Sequence, residues 1–333
     1  IVTAVTANPD LPVTAANAAG VVTLTARHKG TYGNDIDIRL NHFEGDTTPA
    51  GIGCVIAAGV AGATNPDITT SFAAIGDEWF QNIACGATDA ANIAAADTDM
   101  TTRWGPQRQK DGRCYFGYSS GLSSLLTFGA TRNGIFSTVV GCRKLPTPPW
   151  KVAAAVAGIA SASLAADPAR PMTNLVLPGV VAPSIIHRYT DTERVQLLNA
   201  GLSTYRVNAA GEVAIERLIS CYKTDNFGGP DLSYKDITTT ATLGYMRFSW
   251  RSRMAQKYPR AKLTADTIAS IRAETIALAR DWFDAGLLED VDGFIAGLVI
   301  ERDATQATQL NVLLTPNIVN PLLQLAARIE FIL

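Results

Sequence analysis

The chain has 333 residues, 47% hydrophobic and 17% charged, with a formal net charge of -2. That much apolar material excludes a disordered chain, and the near-neutral balance excludes bulk electrostatic attraction to nucleic acid or to an anionic membrane. The length suits two domains or one large one.

Residues 1–50 read as β-rich. Val21 to Ala26 is a β-prone run, and Ile36, Ile38 and Leu40 alternate with Asp35, Asp37 and Arg39 as a half-buried strand would. Gly30 to Asn34 between them is a turn. From residue 51 to 188 short apolar runs alternate with helical stretches, which predicts a parallel or mostly parallel sheet covered by helices. Strands are expected at Cys54–Ala58, Asn82–Cys85, Arg113–Gly117, Ile135–Val140 and Asn174–Leu177. Helices are expected at Ile68–Phe80, Asp89–Trp104, Leu122–Phe128 and Trp150–Ala166. Pro149 suits the first helical position, and Asp167-Pro168 is a stop. The apolar run Val152–Ala166 is shorter than the roughly 20 residues of a membrane span and reads as a core helix. Residues 189–333 read as an α+β unit. It has a helix at Thr190–Ala200 and a hairpin of Thr204–Val207 and Glu212–Tyr222 around Asn208–Gly211. A helix starting near Ser249 follows, then a second at Thr264–Ala285 stopped by Gly286, and strands at Leu298–Glu301 and Ala327–Leu333.

The chain offers little for catalysis. Its three histidines are His28, His42 and His187, so no Ser-His-Asp or Cys-His site can be built within residues 43–186. No phosphate-binding glycine loop and no HExxH occurs, and Glu289, Asp290 and Asp292 lack the spacing of a calcium loop, reading instead as caps that face solvent. Neither a cofactor nor a metal site is expected. Cys54, Cys85, Cys114, Cys142 and Cys221 include no CxxC pair, and buried free thiols are the plainer reading.

One charge pattern stands out. Arg247, Arg251, Arg253, Lys257, Arg260 and Lys262 form a stretch without an acid, and seven acids against two arginines follow from Asp266 to Asp292. Pairing on solvated helix faces within one chain is the plainer reading. The sharper one is complementary patches for head-to-tail assembly through Arg247, Arg251, Arg253, Lys257 and Arg260. The terminal run Arg328, Ile329, Glu330, Phe331, Ile332, Leu333 has the alternation of a strand that pairs with an open sheet edge.

Eight phrases occur in order: Thr23–Gly30, Gly33-Asn34-Asp35-Ile36, Arg103-Trp104-Gly105-Pro106, Pro146–Trp150, Asp167–Pro171, Ile215-Glu216-Arg217, Tyr258–Leu263 and Val299-Ile300-Glu301-Arg302. Together they resemble the tail sheath proteins of Mu-like contractile phages over almost the whole chain. The resemblance implies a subtilisin-like α/β core without catalytic triad, a C-terminal α+β domain and a β-rich N-terminal segment. It implies a structural subunit, not an enzyme, assembled in the host cytoplasm and working in the virion tail. Six-subunit rings would stack helically around a tail tube, meet baseplate and tail terminator proteins, and contract to drive the tube through the host envelope. Neither nucleic acid nor membrane insertion is implied. Terminal arms would add strands to neighbouring subunits. Sheath proteins carry more chain before the Thr23 phrase and a loop before the helix at Thr264. A missing segment is therefore expected before Ile1 and near Asp266. In this setting the five cysteines are candidates for inter-subunit disulfides. The alternatives are a hydrolase of subtilisin-like fold, which the histidine-free stretch disfavours, and a carbohydrate- or receptor-binding module.

Overall fold

The computed structural model describes residues 1–41, 44–323, 326–328 and 330. They form two compact units, Ile1–Ser71 and Phe72–Leu333.

In the first unit a short helix α1 (Val2–Ala7) precedes an antiparallel hairpin of β1 (Val13–Ala18) and β2 (Val21–Ala26). Its two-residue turn, Ala19-Gly20, has φ of 49° and 80°, the paired positive values that fit the twist of a tight hairpin. Two asparagines clasp the rest. Asn34 accepts from the Gly62 amide at 2.8 Å and donates to its carbonyl at 3.0 Å. Asn65 Oδ1 accepts from the Thr31 amide at 2.7 Å and hydroxyl at 2.9 Å. A Cβ on Gly62 would lie 2.0 Å from the Gly30 carbonyl oxygen, so only glycine fits. Two expected strands are absent. Residues 36–39 and 54–58 have no ladder partner, and Ile38, Leu40, Val55 and Ile56 are exposed. Alternation makes a segment fit to be a strand, but the strand forms only against a second one.

Helix α2 (Thr69–Ile75) is shorter than expected, ending where Gly76 turns to a φ of 54°. The second unit then builds a parallel sheet in the order β3 (Asn82–Ala84), β4 (Arg113–Ser119), β5 (Ser137–Cys142). Helix α3 (Ala90–Trp104) connects the first pair and α4 (Leu122–Ala130) the second, the usual solution for parallel neighbours. Asp89 caps α3 by accepting from the Asn92 amide. Helix α5 (Pro149–Ala166) packs on all three strands through Val152, Ala153, Val156, Ala157 and Ala160. At 18 residues it is long and apolar enough to cross a membrane by composition, which corrects the estimate from the shorter run. Its apolar face is nevertheless occupied by the sheet, as in a core helix.

Helix α6 (Asp191–Asn199) starts with a capping box between Thr190 and Glu193. Ser203 extends the sheet beyond β5, donating to Val139 and accepting from Gly141. The antiparallel pair β6 (Thr204–Val207) and β7 (Val213–Arg217) follows. Asn174–Leu177 is reduced to one bridge, Val176 to Ala214, with backbone bonds to β7.

Helix α7 (Ile237–Lys257) begins well before Ser249. Four threonines in its first turns obscure it, because β-branched residues read as strand. Their propensity deficit is about 2 kcal/mol in total. Burying Ile237 and Met246 stabilises the helix by about 1.5–3 kcal/mol each, which wins. Helix α8 (Ala265–Asp284) closes as expected, with Gly286 at φ 70° donating to Phe283 and Leu287 donating to Trp282. Between α7 and α8 the indoles exchange bonds: Trp250 to Thr275 and Trp282 to Ser249, each 3.1 Å. Met246, Leu278, Trp282, Leu288 and Phe294 form the local core. A short helix α9 (Val291–Gly297), capped by Asp290, and an antiparallel pair β8 (Val299–Arg302) and β9 (Leu310–Leu313) complete the unit. The expected strand Ala327–Leu333 falls largely outside the described residues.

Candidate functional site

The basic stretch of α7 faces its own chain. Arg253 bonds Glu274 and, at 2.6 Å, Asp281, and Lys257 reaches Glu274 at 2.6 Å. These bonds hold the Glu274 carboxyl below the usual carboxylate range, Lys257 contributing most and Arg253 next. Arg247 meets Asp111 at 3.2 Å and the Trp104 carbonyl at 2.8 Å, with its guanidinium 4.1 Å from the Trp104 ring centre. Arg251 donates to the Gln109 carbonyl at 3.0 Å. Arg260 is exposed and, among the described residues, enters no ion pair. Intrachain pairing therefore accounts for Arg247, Arg253 and Lys257, while Arg260 presents its charge outward.

The pair β8–β9 is a two-stranded sheet on its own, so among the described residues each strand has one unpaired edge. Asp303 builds its connection. One carboxylate oxygen accepts from the Thr305 amide (2.8 Å), the Thr305 hydroxyl (2.7 Å) and the Gln306 amide (2.8 Å), and the other from Asn311 (2.9 Å). These bonds, Asn311 first, hold its carboxyl far below the usual range. The expected strand at Leu298–Glu301 is β8, while the Asp303 turn and β9 were missed, although Asp-x-Thr is a turn signal. Arg328 and Glu330 are exposed and 2.7 Å apart. Ile329, Phe331 and Leu333 lie outside the described residues.

The five cysteines are all free thiols. Cys114, Cys142 and Cys221 are buried, which pushes all three up, Cys142 and Cys221 to about 12. Burial also raises Cys85, whereas Cys54 is exposed. Among the described residues no group of three His, Cys, Asp or Glu side chains is placed to hold a metal ion.

The family model of the phage tail sheath protein central domain matches residues 61–221, and that of the phage tail sheath C-terminal domain matches residues 230–332. The chain is 37% identical over 340 aligned residues to the Mu-like prophage FluMu tail sheath protein of Haemophilus influenzae, covering 99% of this chain and 70% of that protein. In fold it is similar to the crystal structure of a sheath tail protein from Desulfitobacterium hafniense, with a TM-score of 0.55 and 14% identity, over 81% of this chain and 66% of that one. It is also similar to the sheath of an extracellular contractile injection system in its contracted state, with a TM-score of 0.52 and 14% identity, over 70% of this chain and 67% of that one. The parallel sheet with its helices, the self-paired helical hairpin and the open-edged β8–β9 thus sit in a sequence aligned over 99% of its length with a sheath protein: the chain belongs to the Mu-like phage tail sheath family, the structural sheath of a contractile virion tail.

Proposed function

We propose that copies of this chain stack as six-subunit rings in a helical sleeve around a tail tube, between baseplate and tail terminator proteins, and contract to drive the tube through the host envelope. The near-complete alignment with a Mu-like sheath protein carries this reading. The unpaired edges of β8–β9 support it, since they can accept strands from neighbouring subunits' arms. Contraction then needs two packings of the same subunits, each contact contributing a few kcal/mol. The β-rich residues 1–50, the α/β core of residues 51–188 and the α+β residues 189–333 are the proposed domains. The core is a subtilisin-like fold without its triad, and the chain is not an enzyme. Negative-stain microscopy of the purified full-length protein tests this. Sleeves of uniform width are expected, and dispersed monomers contradict it. A fluorophosphonate probe, which labels active serine hydrolases, is expected to leave the protein unlabelled.

Two contacts are part of the same reading. Arg260, just beyond the end of α7, is exposed and outside the ion pairs of the basic stretch, and is placed to meet a neighbour. Cys54 is the exposed thiol able to bond between subunits without unfolding the core. Non-reducing electrophoresis of intact particles should show a dimer band that Cys54→Ser removes, and a lone monomer band contradicts the disulfide.

A further inference from the structure

Two unpartnered apolar features lie at opposite ends of the parallel sheet. At the N-terminal ends of β3 and β4 a groove of about 650 Å³ opens, walled by Trp79, Trp104, Phe136, Leu164, Tyr245 and Phe248. Trp79, Tyr245 and Phe248 are 37%, 47% and 45% exposed, and Trp79 meets Phe248 edge to face at 5.6 Å. Asp111, which pairs with Arg247, and Asp167 lie in its lining. The groove has the volume and lining of a site that takes a side-chain-sized apolar group.

The second feature is a loop at the other end. Val181, Ile185 and Ile186 are 58%, 77% and 80% exposed. The loop is tied on one side to the β5–α5 connection and on the other to the C-terminal end of β5. The Val181 amide donates to Thr147 Oγ1 at 2.8 Å, while Tyr189 Oη donates to the Gly141 carbonyl at 3.2 Å and accepts from the Arg143 amide at 3.0 Å. A rigid apolar knob results, and His187 and Arg188 follow it directly. The seven-residue β4 puts roughly 20 Å of sheet between knob and groove at the usual rise per residue.

From this geometry we infer that Ile185 and Ile186 of one copy seat in the Trp79–Trp104–Phe248 groove of the next, with Arg188 facing Asp167. The occupant is a second copy of this chain. Its knob is apolar where the groove is apolar, and Arg188 beside it is basic where the groove carries Asp167, which enters no ion pair among the described residues; Asp111 and Arg113, also in the lining, already have partners within the chain. Two complementary patches at opposite ends of one body make a heterologous contact, which propagates into a filament instead of closing a dimer. A pairing of knob with knob would leave the groove empty and end the chain at two copies. The inference rests on the sleeve reading above and names one contact within it.

The test uses two full-length populations, both Cys54→Ser, one also Ile186→Cys and the other Phe248→Cys. They are assembled together, oxidised and resolved without reductant. A cross-linked dimer at least tenfold more abundant in the mixture than in either population alone is expected. Dimers within the Ile186→Cys population alone, or sleeves without the mixed cross-link, overturn the contact. In parallel, the Ile185→Asp and Ile186→Asp double variant should melt like the parent, since both side chains are exposed, yet form at least tenfold fewer sleeves. Normal sleeves from it overturn the contact as well. Parent protein that forms no sleeves defeats the sleeve reading itself, and this contact with it.

Discussion

Arg113 is a buried charge that joins two elements. It is 5% exposed, and its guanidinium donates to Thr138 at 3.0 Å and Thr240 at 2.6 Å, which ties the parallel sheet to α7. Burial lowers its pKa, and nearby Tyr115 and Asp97 oppose that shift. Arg113→Ala is expected to destabilise the fold by about 3 kcal/mol, because it strands a buried polar network; urea denaturation would measure it. The buried thiols make a second prediction. Cys142 and Cys221 titrate near 9 when unfolded and at about 12 when folded. Between these values the unfolded chain binds fewer protons, so stability is unchanged below pH 9 and falls above it. The slope is about 1.4 kcal/mol per pH unit for each thiol. Denaturation midpoints at pH 8 to 10.5 should show this decline, and the Cys142→Ala, Cys221→Ala variant should make it shallower, with buried Cys114 supplying part of what remains. Buried free thiols were the plainer sequence reading and hold for Cys114, Cys142 and Cys221, whereas the role of Arg113 was not legible. A buried arginine and an exposed one are spelled alike, and Asn34 and Asn65 became clasps only once the chain brought residues 31 and 62 beside them.

Elements with their own end signals were readable. Asp89, Thr190 and Thr264 cap α3, α6 and α8, and Gly286 stops α8, all from local rules. Elements defined by distant partners were not. Residues 36–40 have strand alternation and 54–58 a short apolar run, each without a strand to pair with among the described residues, and the threonines of α7 become helical because the α7–α8 core demands it. That hairpin gives a charge test. Arg253→Glu sets an acid against Glu274 and Asp281 and should lower the melting temperature by a few degrees, while added Glu274→Arg should recover most of the loss. Melting curves that do not move would show the pairs to be solvated and neutral in effect. For β8–β9 the test is Asp303. Its carboxyl is held low, so its contribution is present above an unfolded value near 3.9 and fades as the pH falls below that. Asp303→Ala should loosen residues 299–313 in hydrogen exchange and reduce sleeve yield, with the parallel sheet still protected.

For the whole molecule, sequence order told more than sequence chemistry. Individual phrases such as Arg103-Trp104-Gly105-Pro106 are weak signals, but their succession pointed to the family that the comparisons then established. The histidine-free stretch argued against a hydrolase without naming a scaffold. The candidate contacts were less legible. The plainer reading of the basic stretch, pairing within one chain, holds for Arg247, Arg253 and Lys257, which meet their own acids, but which cation would stay outward was not readable. The knob at Ile185–Ile186 and its groove gave no sequence signal, since exposure and cavities arise only on folding. The most direct measurement is a cryo-electron microscopy reconstruction of tails from particles carrying this chain. A helical sleeve is expected, six subunits to a ring, into whose subunit density the fold of Phe72–Leu333 fits. A sleeve built of another fold, with this chain elsewhere in the particle, would contradict it.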